Sequence, residues 1–204
     1  MVARPQAGRY RRWLFLLCLA VGAALAPTGA RAQNLTYGEL KLGVMQHDVP
    51  NFGGFEKGID INPEVIFPSP IADAWVASVP WYLGWMTQPR PTVGAMLNTQ
   101  GFTNQYYFGA TWTWQLFGNV LMPGDGITFG IFFGPGFNDG QTVPIDPTRK
   151  ALGSNVLFRE ALELGYRINP VWTISGYVDH VSNAGFARYN QSLNTVGGRI
   201  GMRF

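Results

Sequence analysis

Apolar and polar residues alternate along the C-terminal end of the chain. One set is apolar or glycine: Val196, Gly198, Ile200, Met202 and Phe204. The other set, which has two arginines, consists of Thr195, Gly197, Arg199, Gly201 and Arg203. Because the side chains of a β-strand point alternately to opposite faces, one face of this segment is apolar and the other is polar. This alternation, which ends on an aromatic residue at the last position, favours a strand of an outer-membrane β-barrel over a strand of a soluble β-sandwich.

Seven further segments have the features of β-strands. They cover residues 38–46, 56–67, 91–98, 105–117, 126–134, 155–168 and 171–181. No segment after residue 32 is long and apolar enough for a membrane helix, so amphipathic strands are the remaining way to cross a bilayer. The eight strands predict an all-β fold, an eight-stranded antiparallel transmembrane β-barrel with both termini in the periplasm.

The order of the strands also predicts where the loops lie. If the first strand runs outward, four loops face the cell exterior: 46–56, 99–104, 134–153 and 183–193. The periplasmic connection over residues 68–88 is unusually long and rich in tryptophan. It is either an interfacial helix at the level of the inner headgroups or a plain extended turn.

Charged residues fall on the strand faces opposite the apolar ones. The interior of an eight-stranded barrel is filled by side chains, so these residues predict a buried charge network rather than a pore. Its expected members are Lys41, Arg159, Glu163, Arg167, Arg199 and Arg203.

The N-terminus has the three-part pattern of a secretory signal peptide over residues 1–32: a basic segment, an apolar run and the sequence Ala30-Arg31-Ala32. The β-barrel domain then covers residues 33–204. Removing the leader removes five arginines and leaves 10 basic against 12 acidic residues, a net charge of about −2. The basic balance of the whole chain is an effect of the leader, and nothing indicates nucleic-acid binding.

His180 and Ser182 lie two residues apart at the end of the strand predicted over residues 171–181, so they share a face. A serine hydroxyl becomes a nucleophile when a neighbouring base takes its proton, and histidine is the usual base. Pairing without a bulge would place Ser182 opposite Asn194 and His180 opposite Val196. Because the residues in phase with them are mostly apolar, the three polar side chains would converge on a lipid-facing patch. This placement favours a lipid substrate.

Several motifs in the C-terminal third resemble those of the lipid A 3-O-deacylases: His-Val-Ser-Asn-Ala-Gly over 180–185, Asn190, Asn194 and the ending Arg-Ile-Gly-Met-Arg-Phe. The resemblance implies an eight-stranded barrel in the bacterial outer membrane that hydrolyses the ester at the 3-position of lipid A. It also implies a Ser-His-Glu triad on the outer surface and, as partner, the lipopolysaccharide of the outer leaflet. By this analogy Ser182 is the nucleophile, His180 is the general base, and Asn194 stands at the position of the acidic member.

Asn194 departs from the family pattern, because an amide can orient an imidazole but cannot stabilise the imidazolium as a carboxylate does. Glu160, on the outward side of the neighbouring strand, is a candidate replacement. Asn138, in a glycine-rich stretch, is a candidate oxyanion donor, although the same residues also suit a simple turn. No His, Asp or Glu cluster has metal-ligand spacing, and no cofactor is implied. His47, a lone loop histidine, is left outside the site.

The sequence therefore predicts an outer-membrane esterase that removes the 3-O-linked acyl chain of lipid A through an acyl-enzyme on Ser182. One alternative is a non-catalytic outer-membrane barrel of the same fold, with a degenerate triad and a structural or surface-interaction role. Another is a soluble periplasmic β-sandwich that binds small apolar ligands. The sequence leaves open which acyl position is cleaved and whether the barrel forms a homodimer.

Overall fold

Residues 37–49, 55–80 and 83–204 are described by the computed structural model, and the predicted signal peptide lies outside them. These residues form a closed barrel in which each strand pairs antiparallel with its sequence neighbours and β8 pairs with β1. The strands are β1 (Glu39–Gln46), β2 (Ile59–Ile66), β3 (Arg90–Asn98), β4 (Gln105–Gly118), β5 (Gly126–Asn138), β6 (Val156–Arg167), β7 (Trp172–Ser182) and β8 (Leu193–Arg203). The predicted fold class is confirmed. We call the outer end the one that carries the β1–β2, β3–β4, β5–β6 and β7–β8 loops.

The outer end of β5 shows the largest difference from the predicted strand bounds. The strand continues to Asn138, past the Gly134-Pro135-Gly136 sequence that predicted a loop. A Cβ at Gly134 would meet the carbonyl oxygen of Phe108 on β4, so glycine is needed there for two strands to lie close together. The β5–β6 loop therefore begins at residue 139 rather than at residue 134.

Side chains alternate between the lumen and the outer wall along every strand. On β7, the outward Ile174 and Val178 are exposed, whereas the inward Thr173 and Tyr177 are buried. Exposed apolar side chains around buried polar ones are the reverse of a soluble protein and suit a barrel surrounded by lipid. Together with the closed sheet, this arrangement excludes the soluble β-sandwich alternative.

The lumen contains the predicted charge network. Four of its five basic members form ion pairs: Lys41 with Glu163 at 2.8 Å, Arg199 with Glu163 at 3.0 Å, Arg159 with Asp179 at 2.7 Å and Arg203 with Glu39 at 3.5 Å. The fifth basic member, Arg167, donates a hydrogen bond to the carbonyl oxygen of Asp125 at 3.4 Å. These charged side chains fill the lumen and most of them form ion pairs there, so they have a structural role. The chemistry of the protein must therefore be sought on the outer wall.

The connection between β2 and β3 contains two short helical elements. These are α1 (Asp73–Val76), of four residues, and a 3-10 turn (Gly84–Met86). The indole N–H of Trp112 on β4 donates to the carbonyl oxygen of Met86 at 2.9 Å, which ties this segment to the barrel. None of the described helices is long and apolar enough to cross a membrane.

Candidate active site

His180 and Ser182 lie at the outer end of β7, on the outside of the barrel. Both side chains are half-buried, and they continue the row of exposed apolar residues formed by Ile174 and Val178. Val181, between them, is buried on the opposite face. The two side chains therefore project away from the lumen, toward the space that lipids occupy, as the sequence predicted.

The pairing of β7 with β8 corrects the predicted register by two residues. His180 lies directly opposite Asn194, where the sequence predicted Val196, and Ser182 lies beyond the last pair of the ladder. The prediction assumed a loop of eleven residues over 183–193. The loop has ten, since β7 ends at Ser182 and β8 begins at Leu193. The observed register places the imidazole beside the amide instead of on a diagonal.

Asn183 holds the turn that follows Ser182. Its buried side-chain amide donates to the carbonyl oxygen of Leu152, in the β5–β6 loop, at 2.7 Å. Ala184 and Gly185 then adopt left-handed backbone conformations, with φ of 54° and 88°, which is uncommon for a residue other than glycine. These contacts end β7 and place the Ser182 hydroxyl at the tip of the strand, where the chain turns away.

A hydrogen bond joins the His180 ring to Asn194. The distance from Nδ1 of His180 to Oδ1 of Asn194 is 2.7 Å. Because an amide oxygen can only accept, Nδ1 carries the proton and Nε2 carries the lone pair of the neutral ring. This is the tautomer that a general base requires. No hydrogen bond joins Ser182 to His180 among the residues that the structure describes, and such contacts commonly tighten when a substrate binds.

The other neighbours of the pair lie on β6. Glu160 is directly opposite His180, and Phe158 is directly opposite Ser182. Glu160 is half-buried on the outward face, and within the described ranges no hydrogen bond joins it to His180. Phe158 is exposed, and its ring centroid lies 6.0 Å from that of Phe186 in the β7–β8 loop. Ser182 thus has an aromatic wall on one side, and His180 has a carboxylate on the strand beside it.

Asn138 is not brought together with the pair. It is the last residue of β5, and its side chain is buried on the lumen side of the strand. Its amide is used within the β5–β6 loop: Nδ2 donates to the carbonyl oxygen of Ser154 at 3.1 Å, and Oδ1 accepts from the N–H of Gly140 at 3.1 Å. The geometry gives no support to the oxyanion role that the sequence suggested for Asn138 and fits the alternative of a turn.

The C-terminal two thirds of the chain, which contain the site, match a known protein family. A family model described as lipid A 3-O-deacylase (PagL) matches residues 74–203. The chain belongs to this family. The match covers β3 to β8 and so includes His180, Ser182 and Asn194. The resemblance drawn from the C-terminal motifs is confirmed, and the protein, like other members of the family, is an outer-membrane β-barrel.

Two solved structures resemble the barrel. The crystal structure of the outer membrane enzyme PagL aligns with 81% of this chain and 97% of that chain, at 13% sequence identity and a TM-score of 0.56. The N-terminal β-barrel domain of Pseudomonas aeruginosa OprF aligns with 84% of this chain and 100% of that chain, at 9% identity and a TM-score of 0.46. No curated protein sequence matches the chain. At 13% identity, the likeness to the PagL structure supports the fold alone and assigns no role to any individual side chain.

His47, which the sequence left outside the site, is fully buried at the outer end of the lumen. Its Nδ1 lies 2.8 Å from a carboxylate oxygen of Asp60, and its Nε2 lies 3.0 Å from a carboxylate oxygen of Glu56. Burial alone would lower the pKa of His47, but the hydrogen bonds and charges of the two carboxylates raise it to about 9. His47 is therefore an imidazolium at neutral pH, both of its ring N–H groups donate, and it cannot act as a base.

Three of the four outer loops and the start of β2 meet around this histidine in what we call the loop clasp: His47, Asp48, Glu56, Asp60, Thr103 and Lys150. The carboxylate of Glu56 accepts hydrogen bonds from the backbone N–H groups of Thr103 and Lys150, at 3.2 and 2.8 Å. Three loops are thus joined through one carboxylate. Despite its charged side chains, neither the clasp nor any other part of the described ranges has a group of His, Cys, Asp and Glu arranged to hold a metal ion.

The loop clasp also reaches the start of β8. The ammonium group of Lys150 forms an ion pair with Asp48 and donates to the carbonyl oxygen of Ser192 at 2.6 Å. The backbone N–H of Val49 donates to the carbonyl oxygen of Asn194 at 2.8 Å. The β1–β2 loop, which supplies part of the loop clasp, therefore holds the backbone of Asn194, while the side chain of Asn194 holds His180.

Proposed function

We propose that this member of the family hydrolyses the ester that links an acyl chain to the 3-position of lipid A. The observation that carries the proposal is the 2.7 Å contact between His180 and Asn194 on the lipid-facing wall, with Ser182 next on the same face. The contact supplies a histidine in the tautomer of a base, beside a serine, on the outward face at the outer end of the barrel.

Each proton has a defined place in the proposed reaction. The Ser182 hydroxyl attacks the ester carbonyl and transfers its proton to Nε2 of His180. The imidazolium then gives that proton to the departing 3-oxygen of the sugar, and the acyl chain remains on Ser182 as an ester. A water molecule, deprotonated by His180, hydrolyses this acyl-enzyme, which releases a 3-hydroxy fatty acid and restores the serine. In the turn that follows Ser182, the backbone N–H groups of Asn183, Gly185 and Phe186 already donate within the loop. The backbone N–H of Ala184 is therefore the candidate donor to the oxyanion.

Asn194 limits the rate in this proposal. Its amide oxygen orients the ring through Nδ1–H but carries no charge to stabilise the imidazolium that forms in the transition state. Replacing the carboxylate of such a triad by an amide costs on the order of a thousandfold or more in rate. Glu160, directly across from His180 on β6, contributes the nearest compensating negative charge on that face.

A non-catalytic barrel is the second candidate, and it is favoured by one observation: the acidic position of the triad holds an amide. In that case the protein would keep the fold of the family and have a structural or surface-interaction role. The two candidates differ in whether the protein changes the mass of lipid A at all.

Mass spectrometry of lipid A separates them. The wild-type chain, expressed in a bacterium whose lipid A carries a 3-O-linked 3-hydroxy acyl chain, should remove one such chain. Ser182→Ala should leave lipid A at full mass while the barrel still folds, as judged by its faster migration in unheated gels. Ser78→Ala, at the periplasmic end, is the matched control and should behave as wild type. Deacylation that survives in the Ser182→Ala variant would overturn the proposal.

A further inference from the structure

Asn194 lies where the pairing of β8 with both of its neighbouring strands comes to an end. The pairing with β7 continues for only one residue beyond Asn194, to Leu193. The pairing with β1 stops at Val196, two residues short of Asn194. The end of a strand opens readily unless contacts beyond the ladder hold it. The side chain that orients His180 therefore depends on support from the outer loops.

Lys150, in the β5–β6 loop, supplies this support on both sides of Asn194. Its buried ammonium group donates to the carbonyl oxygen of Ser192 at 2.6 Å, two residues before Asn194. The same group forms an ion pair with Asp48, the residue before Val49 in the β1–β2 loop. The backbone N–H of Val49 donates to the carbonyl oxygen of Asn194 at 2.8 Å. One ammonium group thus holds the chain that leads into Asn194 and the loop that lies across from it.

The backbone of Asp48 needs these contacts. Its φ is 45°, in the left-handed region, where a residue other than glycine stays only if its surroundings hold it. Its buried carboxylate accepts hydrogen bonds from the backbone N–H groups of Phe55 and Glu56, at 2.8 and 3.1 Å. Lys150 supplies the counter-charge of this carboxylate. Removal of the ammonium group would leave a buried charge without its ion-pair partner and would displace the turn that presents Val49.

The segment that carries Lys150 is itself fixed in place. The backbone N–H of Lys150 donates to the buried carboxylate of Glu56 at 2.8 Å. The next residue, Ala151, exchanges two hydrogen bonds with Gln191, at 2.6 and 3.1 Å. A buried apolar cluster then joins the β5–β6 loop to the strands of the site: Leu152, Leu157, Val181 and Leu193. The ammonium group therefore has a fixed position from which it holds its two partners.

We propose that Lys150 is a positioning residue for the reaction: it holds Asn194 where the amide oxygen can orient the ring of His180. This proposal rests on the proposed function, in which His180 is the base. Within the described ranges, no hydrogen bond or ion pair joins Lys150 to His180 or Ser182, so its effect passes through Asn194. Misplacement of a catalytic group by about 1 Å can cost on the order of a hundredfold in rate.

Steady-state kinetics test the proposal. Lys150→Met removes the ammonium group and keeps an unbranched side chain. Release of 3-hydroxy fatty acid from lipid A in detergent should show kcat lowered roughly ten- to a hundredfold. KM should stay within about twofold of wild type, because the lipid-facing surface is unchanged. Lys41→Met is the matched control: Lys41 is also buried and forms an ion pair with Glu163, in the lumen, so its loss should leave kcat near that of wild type.

A spectroscopic measurement does not depend on catalysis. Nitrogen-15 NMR of the folded barrel with labelled histidine, at about pH 8, reports which ring nitrogens carry a proton. In the wild type, His180 should carry its proton on Nδ1 alone, and His47, which is protonated at both nitrogens, should give separate signals. In Lys150→Met, the His180 ring should become a mixture of both tautomers, because its acceptor on Asn194 no longer has a fixed position. Lys41→Met should keep the wild-type signals of His180.

Wild-type kcat in Lys150→Met would overturn the proposal and leave the proposed function standing. An equal loss of kcat in both lysine variants would also overturn it, because a general loss of stability would then explain the effect. If the wild-type barrel releases no fatty acid, the proposed function fails and the NMR comparison decides: an unchanged His180 tautomer in Lys150→Met would overturn the positioning role, and a mixture would support it.

A second variant serves if Lys150→Met does not reach the folded barrel, as judged by its migration in unheated gels. Asp48→Asn removes the ion pair but keeps a side-chain oxygen for the two backbone N–H groups that Asp48 binds. It should lower kcat and mix the tautomers of His180 in the same way. A folded Asp48→Asn barrel with wild-type kcat and a single His180 tautomer would overturn the proposal.

Discussion

The chain has two histidines, and the structure places both at the outer end of the barrel in opposite surroundings. His47 points into the lumen, is fully buried and lies between the carboxylates of Asp60 and Glu56. His180 points outward, is half-buried and is held by the amide oxygen of Asn194. The same side chain thus has two carboxylate partners in one place and a neutral partner in the other.

The charge of the partner decides what each histidine can do. Two carboxylates stabilise the imidazolium of His47 and raise its pKa to about 9, so the proton stays on the ring at neutral pH. A neutral amide fixes the tautomer of His180 and leaves the lone pair on Nε2 for the Ser182 proton. At neutral pH the loop clasp therefore contains a cation, whereas the outer wall contains a ring whose Nε2 lone pair can accept a proton and whose partner carries no charge.

Moving a carboxylate to His180 should have the largest effect. We expect Asn194→Glu to increase the deacylation rate by on the order of a hundred- to a thousandfold, because the new carboxylate would stabilise the imidazolium in the transition state. The same charge favours the protonated ring of His180, so the pH–rate profile of this variant should also shift toward alkaline pH. Release of 3-hydroxy fatty acid from lipid A in detergent, measured between pH 6 and pH 10, checks both.

Asn194→Gln is the matched control for this variant, since glutamine has the length of glutamate without its charge. It should show neither the gain nor the shift. If the glutamate variant is as slow as the glutamine variant, the amide at position 194 is not what limits the reaction, and the non-catalytic alternative gains ground.

The fold followed from the sequence because it depends on a pattern that each segment carries by itself. Period-two alternation located all eight strands and placed His180 and Ser182 on the outer wall. It missed the end of β5, where glycine permits the close approach of Phe108 on β4, a requirement set by a neighbouring strand. The interior charges were predicted for the same reason that the strands were: Lys41, Glu163 and Arg199 are in phase with the lumen.

The site was less accessible to the sequence because it depends on contacts between distant loops. The register that pairs His180 with Asn194 is set by a loop in which Asn183 binds the carbonyl oxygen of Leu152, 31 residues away. His47 read as a lone loop histidine, since Glu56 and Asp60 lie 9 and 13 residues further on and the burial that unites them is tertiary. Neither contact leaves a local pattern.

Removing the cation from the loop clasp should have the next largest effect. In His47→Gln, the buried carboxylates of Asp60 and Glu56 lose their counter-charge, and we expect the unfolding free energy to fall by about 3 kcal/mol at pH 7. The pKa of His47 is about 9 in the folded barrel, above its ordinary value of 6.5. Its stabilising contribution is therefore complete below about pH 6.5 and is lost as the pH rises through 9.

Urea unfolding in lipid vesicles, followed by tryptophan fluorescence from pH 6 to pH 10, measures this dependence. The difference between wild type and His47→Gln should be largest at the acid end of the range and should shrink above pH 9. A difference that stays constant across the range would show that His47 acts through packing and not through its charge. Ala95→Leu, on the outer wall, is the control variant for this measurement, because it removes no charge.

The smallest effect is expected at Glu160, which tests whether a carboxylate that lies across the strand from His180 can act without touching it. Glu160 is directly opposite His180 on the outward face but is not hydrogen-bonded to it in the described part of the chain. A half-exposed charge pair is worth up to about 1 kcal/mol, so Glu160→Gln should lower the deacylation rate by no more than about fivefold. The loss should shrink at high salt, which screens such pairs.

Asp146→Asn is the matched control for the loss of one negative charge, because Asp146 binds Thr148 within the β5–β6 loop and that contact survives in an asparagine. It should leave the rate near that of wild type. In the Asn194→Glu background, the effect of Glu160→Gln should decrease, since the new carboxylate is then in direct contact with the ring. A loss of several hundredfold in Glu160→Gln alone would instead make Glu160 the acidic partner of His180 and would assign Asn194 to orientation only.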